Sequence, residues 1–246
     1  MGLPSIEKFK NDYPAQKNQE DERELSVKEI LFNFVLNNKF IWVLAASYFF
    51  VYVIRTAIND WSVLFLVETK GYSLLSAGSC VFWFEIGGIF GSLVAGWASD
   101  KIFKGRRSPV SLLFCLGIIV ALAGLWFSPN KSLVLDSALM FVIGFFVFGP
   151  QMLIGMAPAE LSHKKAAATA TGFVGWVAYL GAASAGYPLG KMTQEYGWNG
   201  CFVVLAICGV VSILLLLPLW NVRSNPKYVE EEDESKKAAP EAEGVT

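Results

Sequence analysis

Apolar residues run almost unbroken from position 40 to 220, and short polar breaks divide that stretch into six runs. The runs cover about 40–67, 75–99, 109–128, 134–158, 166–190 and 200–220. Between them stand Lys70-Gly71, Lys101 to Arg107, Ser128-Pro129-Asn130-Lys131, Ser162 to Lys165, and Lys191 to Gly197. A helix rises about 1.5 Å per residue and a bilayer's hydrocarbon core is about 30 Å thick, so roughly 20 apolar residues suffice for one crossing. Each run meets that length, and Gly, Pro and Asn fall where the chain must turn. The pattern predicts an all-α membrane protein with six transmembrane helices. Arg55 and Asp60 interrupt the first run, but Trp61, Val63, Leu64 and Phe65 resume it at once, which predicts one long helix.

The flanking segments read differently. Residues 1–38 are predicted to be a polar linker that ends in a short helix. Ser26 and Glu29 form a capping box, and Val27, Ile30, Leu31, Phe34 and Val35 follow at helical spacing. That stretch, 26–38, reads as an amphipathic helix lying on the membrane surface. The six-helix unit occupies 39–221. Residues 222–246 are acidic, contain Ala and Pro, and lack the apolar content to bury a core, so they read as a disordered tail.

Charge adds orientation. With six crossings, both termini and the second and fourth loops share one side, which carries sixteen of the 20 basic residues. The opposite side carries only Lys70, Lys131 and Lys191, and Arg55 lies within a helix. The positive-inside rule then places both termini in the cytoplasm. Composition agrees: 54% of the 246 residues are hydrophobic and 17% charged, with a mean hydropathy of +0.46, whereas soluble domains are near 25% charged. A net charge of −1 suggests no nucleic-acid partner. No secretory leader is expected, because Met1 leads into Pro4, Lys8 and Asp12 with no apolar stretch.

Little points to catalysis. Cys80, Cys115, Cys201 and Cys208 fall inside apolar runs without metal-ligand spacing, and the single histidine, His163, is predicted at a helix end. No catalytic triad, phosphate loop or dinucleotide fingerprint stands in a fitting context, so neither an enzyme nor a cofactor or metal site is expected.

The candidate chemistry lies at membrane depth, where an ionisable group is expensive unless it lines water or has a partner. Arg55, Asp60 and Glu85 are such groups. Tyr48, Tyr52, Arg55 and Asn59 are spaced by 4, 3 and 4, which places hydroxyl, guanidinium and amide donors on one helix face. A planar guanidinium fork suits phosphate or carboxylate. The alternative is that Arg55 pairs with Glu85 and joins two helices. Pro150 interrupts the fourth run and is expected to kink it, with Gln151 a candidate cavity group beside it. Trp176 and Tyr179 in the fifth run are candidates for the same cavity. Gly87, Gly91 and Ala95 recur every four residues and predict close helix packing.

The second loop reads Gly96-Trp97-Ala98-Ser99-Asp100-Lys101-Ile102-Phe103-Lys104-Gly105-Arg106-Arg107. Its Gly96, Asp100, Gly105, Arg106 and Arg107 resemble the loop signature of the major facilitator superfamily. Within that superfamily, residues 40–220 resemble the C-terminal six helices of the organophosphate:phosphate antiporter family. The resemblance rests on Val51-Tyr52-Val53-Ile54-Arg55, Asn59-Asp60-Trp61, Gly149 to Met156, Ala167 to Phe173 and Tyr196-Gly197-Trp198, and is strongest to the hexose-phosphate branch. It implies half of a twelve-helix fold in a bacterial inner membrane, exchanging a hexose phosphate for inorganic phosphate. A receptor for external hexose phosphate that signals to a membrane kinase is the other implied function. The resemblance assigns Arg55 to the substrate phosphate, Tyr52 to its neighbourhood, and Asp60 and Glu85 to a charge-pair network. It also implies that an N-terminal six-helix half is missing as a partner. Flux in vesicles would separate carrier from receptor, and phosphate release would expose a phosphatase.

The orientation is testable. In a cysteine-free background, Lys104→Cys and Lys131→Cys are expected to react with an impermeant maleimide from opposite sides of sealed vesicles. Labelling from one side would refute the six-crossing topology.

Overall fold

The computed structural model describes residues 27–128, 131–162 and 166–222. The predicted linker 1–25, the Ser26 cap, His163 and the tail from 223 onward lie outside these residues. Six long helices follow one another: α1 (Lys39–Lys70), α2 (Leu74–Lys101), α3 (Arg107–Trp126), α4 (Leu133–Leu161), α5 (Ala167–Ser184) and α6 (Tyr187–Leu216). The first run is indeed one helix of 32 residues through Arg55 and Asp60. Its start is capped by the Asn38 side chain, which accepts from the Phe40 amide at 3.0 Å. Its end is capped by Gly71 at φ 63°, a left-handed conformation that glycine adopts without a Cβ penalty. Ser73 then caps α2 by accepting from the Ser76 amide, so three residues reverse the chain.

The last two crossings depart from the predicted boundaries. By length and composition, five stretches among the described residues are long and apolar enough to cross a membrane, and the fifth, Ala167–Leu219, is 53 residues long. At about 1.5 Å per residue such a helix would be roughly 80 Å long, more than twice the hydrocarbon core. It is broken twice. A turn at Ala185-Gly186 separates α5 from α6, and Gly197 at φ 69° interrupts α6. Contacts with α1 give the path. Trp42 meets Phe173, Phe49 meets Gly181 and Trp61 meets Ala185, so this part runs parallel to α1. Beyond Gly197, Phe65 meets Phe202 and Ile54 meets Gly209, so the chain has reversed. Gly197 is therefore the hairpin between the fifth and sixth crossings. The fifth runs as two helical pieces to residue 196, past the predicted end at 190. Polarity at Lys191 and Glu195 marks arrival at the surface, not the end of helical backbone.

The bundle's tightest seam joins α2 to α4, which run parallel. A Cβ at Gly87 would strike the Phe141 carbonyl, one at Gly91 the Phe145 carbonyl, and one at Gly144 the Phe84 carbonyl. Backbone thus lies on backbone, as small residues at lipid-embedded interfaces permit. Pro150 and Pro158 both lie within α4, whose helical assignment continues through them. The outward surface keeps large apolar side chains such as Val120, Leu214 and Phe90 exposed, as lipid contact requires. Ahead of α1, Val27–Glu29 is α-helical and Ile30–Leu36 is π-helical. Of the predicted 26–38 segment, helical backbone covers 27–36, wound more widely over Ile30–Leu36. Trp42 Nε1 donates to the Leu36 carbonyl at 2.9 Å and ties it to α1.

Gly91→Ala and Gly144→Ala are expected to destabilise the fold by about 1–3 kcal/mol each, the usual cost of overpacking. Gly172→Ala, which meets open space, is expected to be neutral. Thermal unfolding in detergent reads the difference.

Candidate functional site

Arg55 sits midway along α1, so its depth follows directly from the helix bounds. Its guanidinium carbon lies 5.4 Å from the centre of the Phe148 ring on α4 and 6.0 Å from that of Tyr52. Phe148 is pressed against the glycine face of α2 at Gly88 and packs edge-on against Phe84. The tyrosines form a continuous set. Tyr48 and Tyr52 meet edge to face at 4.7 Å, and Tyr52 meets Tyr179 of α5 at 5.6 Å. The Tyr48 hydroxyl lies 2.8 Å from where a Cβ would stand on Gly155, so α4 leaves room for it there. Tyr48, Tyr52, Arg55 and Tyr179 are thus gathered from two helices around an aromatic seat supplied by a third.

The charge at this seat has no counter-charge. Arg55 makes no ion pair among the described residues, and its Nε is buried without a hydrogen-bond partner. Glu85 is exposed on α2, and neither it nor Asp60 forms an ion pair among the described residues. Asp60 instead accepts from Asn59 Nδ2 at 2.8 Å, one turn beyond Arg55. The Gln151 carbonyl oxygen is buried and unpartnered, three residues after Phe148. Trp176 is exposed three residues before Tyr179, on the same face of α5. Ring contacts join the first four site residues to one another; among the described residues no hydrogen bond, ion pair or ring contact joins Asn59, Gln151, Trp176 or Glu85 to Arg55. An aromatic face supports the cation without consuming its in-plane N–H donors, which remain available to fork onto an anion.

Each end of the bundle carries an ion cluster. At the basic end, Arg107 donates to Glu160 through Nε at 3.1 Å and Nη2 at 2.8 Å, and through Nη1 to Asp100 at 2.6 Å and Ser99 at 3.1 Å. The loop returns tightly through Lys104 and Gly105, at φ 52° and 77°. Arg106 Nε is buried without a partner, and Gly96 leaves space that Met152 approaches. The signature residues Asp100 and Arg107 therefore meet, with Glu160 as the partner that the sequence reading did not single out.

At the lysine-poor end, Asp136 is fully buried. Lys70 forms an ion pair with it, Tyr72 donates to its other oxygen at 2.8 Å, and Ser128 lies at 3.4 Å. This acid was missed; its signal was a carboxylate just inside an apolar run on the side holding Lys70 and Lys131. Among the described residues no group of His, Cys, Asp and Glu is placed to hold a metal, and the four cysteines are buried free thiols.

The fold is a polytopic helical membrane bundle with a cation at mid-depth that is unpaired among the described residues. The Major Facilitator Superfamily profile matches residues 8–186, and the chain belongs to that superfamily. It is 55% identical over 231 residues to a "Probable hexose phosphate transport protein" of Chlamydia pneumoniae, covering 90% of this chain and 51% of the relative. It is 50% identical over 224 residues to the "Membrane sensor protein UhpC" of Escherichia coli (91% and 51%). Identity to a "Glycerol-3-phosphate transporter" of Bacillus subtilis is 39% over 229 residues (93% and 52%). The chain spans about half the length of these curated relatives. They uphold the resemblance to the organophosphate:phosphate antiporter family and are consistent with its C-terminal half. The transport names agree with a chain that is not an enzyme.

Asp136→Asn is expected to strand the Lys70 ammonium, whose side chain is 8% exposed, at a cost of about 3–5 kcal/mol. The double variant Lys70→Met/Asp136→Leu is expected to recover most of that loss. Thermal unfolding of the purified protein checks both.

Proposed function

We propose that this chain forms one half of a sugar-phosphate carrier in a cell inner membrane, with both termini in the cytoplasm, exchanging a hexose phosphate for inorganic phosphate. The observation that carries this reading is the Arg55 guanidinium, held at mid-depth among Tyr52, Phe148 and Tyr48 with no acidic partner among the described residues. A guanidinium fork donates two parallel hydrogen bonds to a phosphate, and tyrosine hydroxyls can donate to its remaining oxygens. Trp176 and Tyr179 offer aromatic surface for the sugar, and Gln151 and Asn59 offer hydroxyl partners. Asp60 and Glu85 are the nearest candidates to take up the Arg55 charge when no anion is bound. The substrate anion then supplies the counter-charge that Arg55 lacks among the described residues, and antiport exchanges one phosphate-bearing ligand for another at that charge.

Transport by rocking requires a second six-helix half across a midplane site. The partner is therefore the other half of such a carrier, supported by relatives about twice this length. A sensor of external hexose phosphate is the second reading, favoured by the 50% identity to a membrane sensor protein. The same Arg55 site would serve both, and flux in vesicles separates them.

Arg55→Lys is expected to weaken hexose-phosphate binding on the order of 10- to 100-fold in the complete twelve-helix protein, since one charge-assisted bond contributes roughly 1.5–3 kcal/mol. Isothermal titration with glucose 6-phosphate reads it. Unchanged affinity in a folded protein would move the phosphate elsewhere. Loss of fold rescued by Glu85→Gln would favour a structural ion pair.

A further inference from the structure

A polar cavity opens at the lysine-poor end of the bundle, between α1, α3 and α6. It is lined by Phe65, Thr69, Lys70, Trp126, Ser128, Lys131, Trp198 and Asn199 and encloses about 450 Å³, within the range of small-molecule sites. Lys70 and Thr69 lie 15 and 14 residues beyond Arg55 on α1, about 20 Å along the helix, so this is not the central site.

The lining holds two lysines and no carboxylate. Lys70 is the structural one, since Asp136 behind it neutralises it. Lys131 is the other. Its ammonium donates to the Gly71 carbonyl at 2.7 Å and sits 5.1 Å from the centre of the Tyr72 ring, without an acidic partner among the described residues. Lys131 lines the cavity, and its charge is not neutralised by an acid among the described residues. Asn199 Oδ1 accepts from Trp126 Nε1 at 2.8 Å, which fixes the amide and leaves its Nδ2 donors available. Trp198 is anchored by its indole N–H to Glu68 at 3.0 Å and packs edge-on against Phe65. An aromatic wall beside an ammonium and an amide donor is the combination that receives the C–H face of a sugar and its anionic group.

We propose that this cavity is a second phosphomonoester site, which takes a sugar phosphate from the solution on the lysine-poor side before it reaches Arg55. Lys131 and Asn199 hold the phosphate and Trp198 receives the sugar. The identity of the ligand rests on the sugar-phosphate reading above; the site itself does not require Arg55. A phospholipid headgroup presents the same phosphate chemistry, so the test separates the two sources.

The test is a tryptophan-fluorescence titration of the full chain carrying Arg55→Ala, in detergent and in phosphatidylcholine nanodiscs, with glucose 6-phosphate and with glucose. A saturable response to glucose 6-phosphate, at least about tenfold weaker with glucose, is expected. Added Lys131→Gln or Asn199→Asp is each expected to weaken it about tenfold, the scale of one charge-assisted bond, while Lys131→Arg retains it. Far-ultraviolet circular dichroism verifies folding, and if Lys131→Gln does not fold, Asn199→Asp decides. No saturable response in the Arg55→Ala chain, or a response indifferent to both added variants, overturns the proposal. So does its loss when phosphatidylglycerol replaces phosphatidylcholine, which would give the cavity to a lipid headgroup. None of these failures touches the Arg55→Lys experiment, which reads the central site.

Discussion

A charged side chain inside hydrocarbon has no water to hydrate it, so it survives only beside a counter-charge or in a cleft that water can reach. The charges of this bundle sort by that constraint. At one end Lys70 is matched with Asp136; at the other Arg107 is matched with Glu160 and Asp100. The first joins α1 to α4, and the second joins α2, α3 and α4. Arg55, at the centre, lies beside the rings of Phe148 and Tyr52, and no acid pairs with it among the described residues. On the proposed function, the unpaired charge at mid-depth is the one kept for an anion that arrives from outside.

The packing serves the same arrangement. Phe148 can lie beneath the guanidinium because Gly88 leaves the ring a place on α2. The α2–α4 seam is tight because Gly87, Gly91 and Gly144 bring backbones together. On the α1–α5 side, Phe49 against Gly181 and Trp61 bonded to the Ala185 carbonyl set the height of Tyr179 beside Tyr52. The Trp61 bond also satisfies a carbonyl at the turn that breaks the fifth crossing, a location where an unpaired backbone group would otherwise be costly.

Much of this was legible in the residues. The six crossings were readable because each apolar run has the length that the bilayer demands, and the long first helix because the apolar pattern resumes after Asp60. The face bearing Tyr48, Tyr52 and Arg55 follows from spacing alone, and the loop signature brought Asp100 and Arg107 together as its residue types suggest. What escaped the sequence was pairing across distance. Asp136 lies 66 residues from Lys70 and Glu160 lies 53 from Arg107, and no local pattern marks such partners. The bounds of the fifth crossing escaped because a polar residue can end the apolar run while the backbone stays helical. The π-helical winding of Ile30–Leu36 leaves no mark in a pattern that α-helical spacing fits nearly as well.

The most direct measurement is a cryo-electron microscopy map of the complete carrier bound to glucose 6-phosphate. The expected result places the phosphate within hydrogen-bonding distance, about 3 Å, of the Arg55 guanidinium nitrogens, with Tyr52 beside it. A phosphate bound elsewhere, with Arg55 paired to Glu85 or Asp60 while substrate is present, would contradict the assignment of Arg55 to the anion.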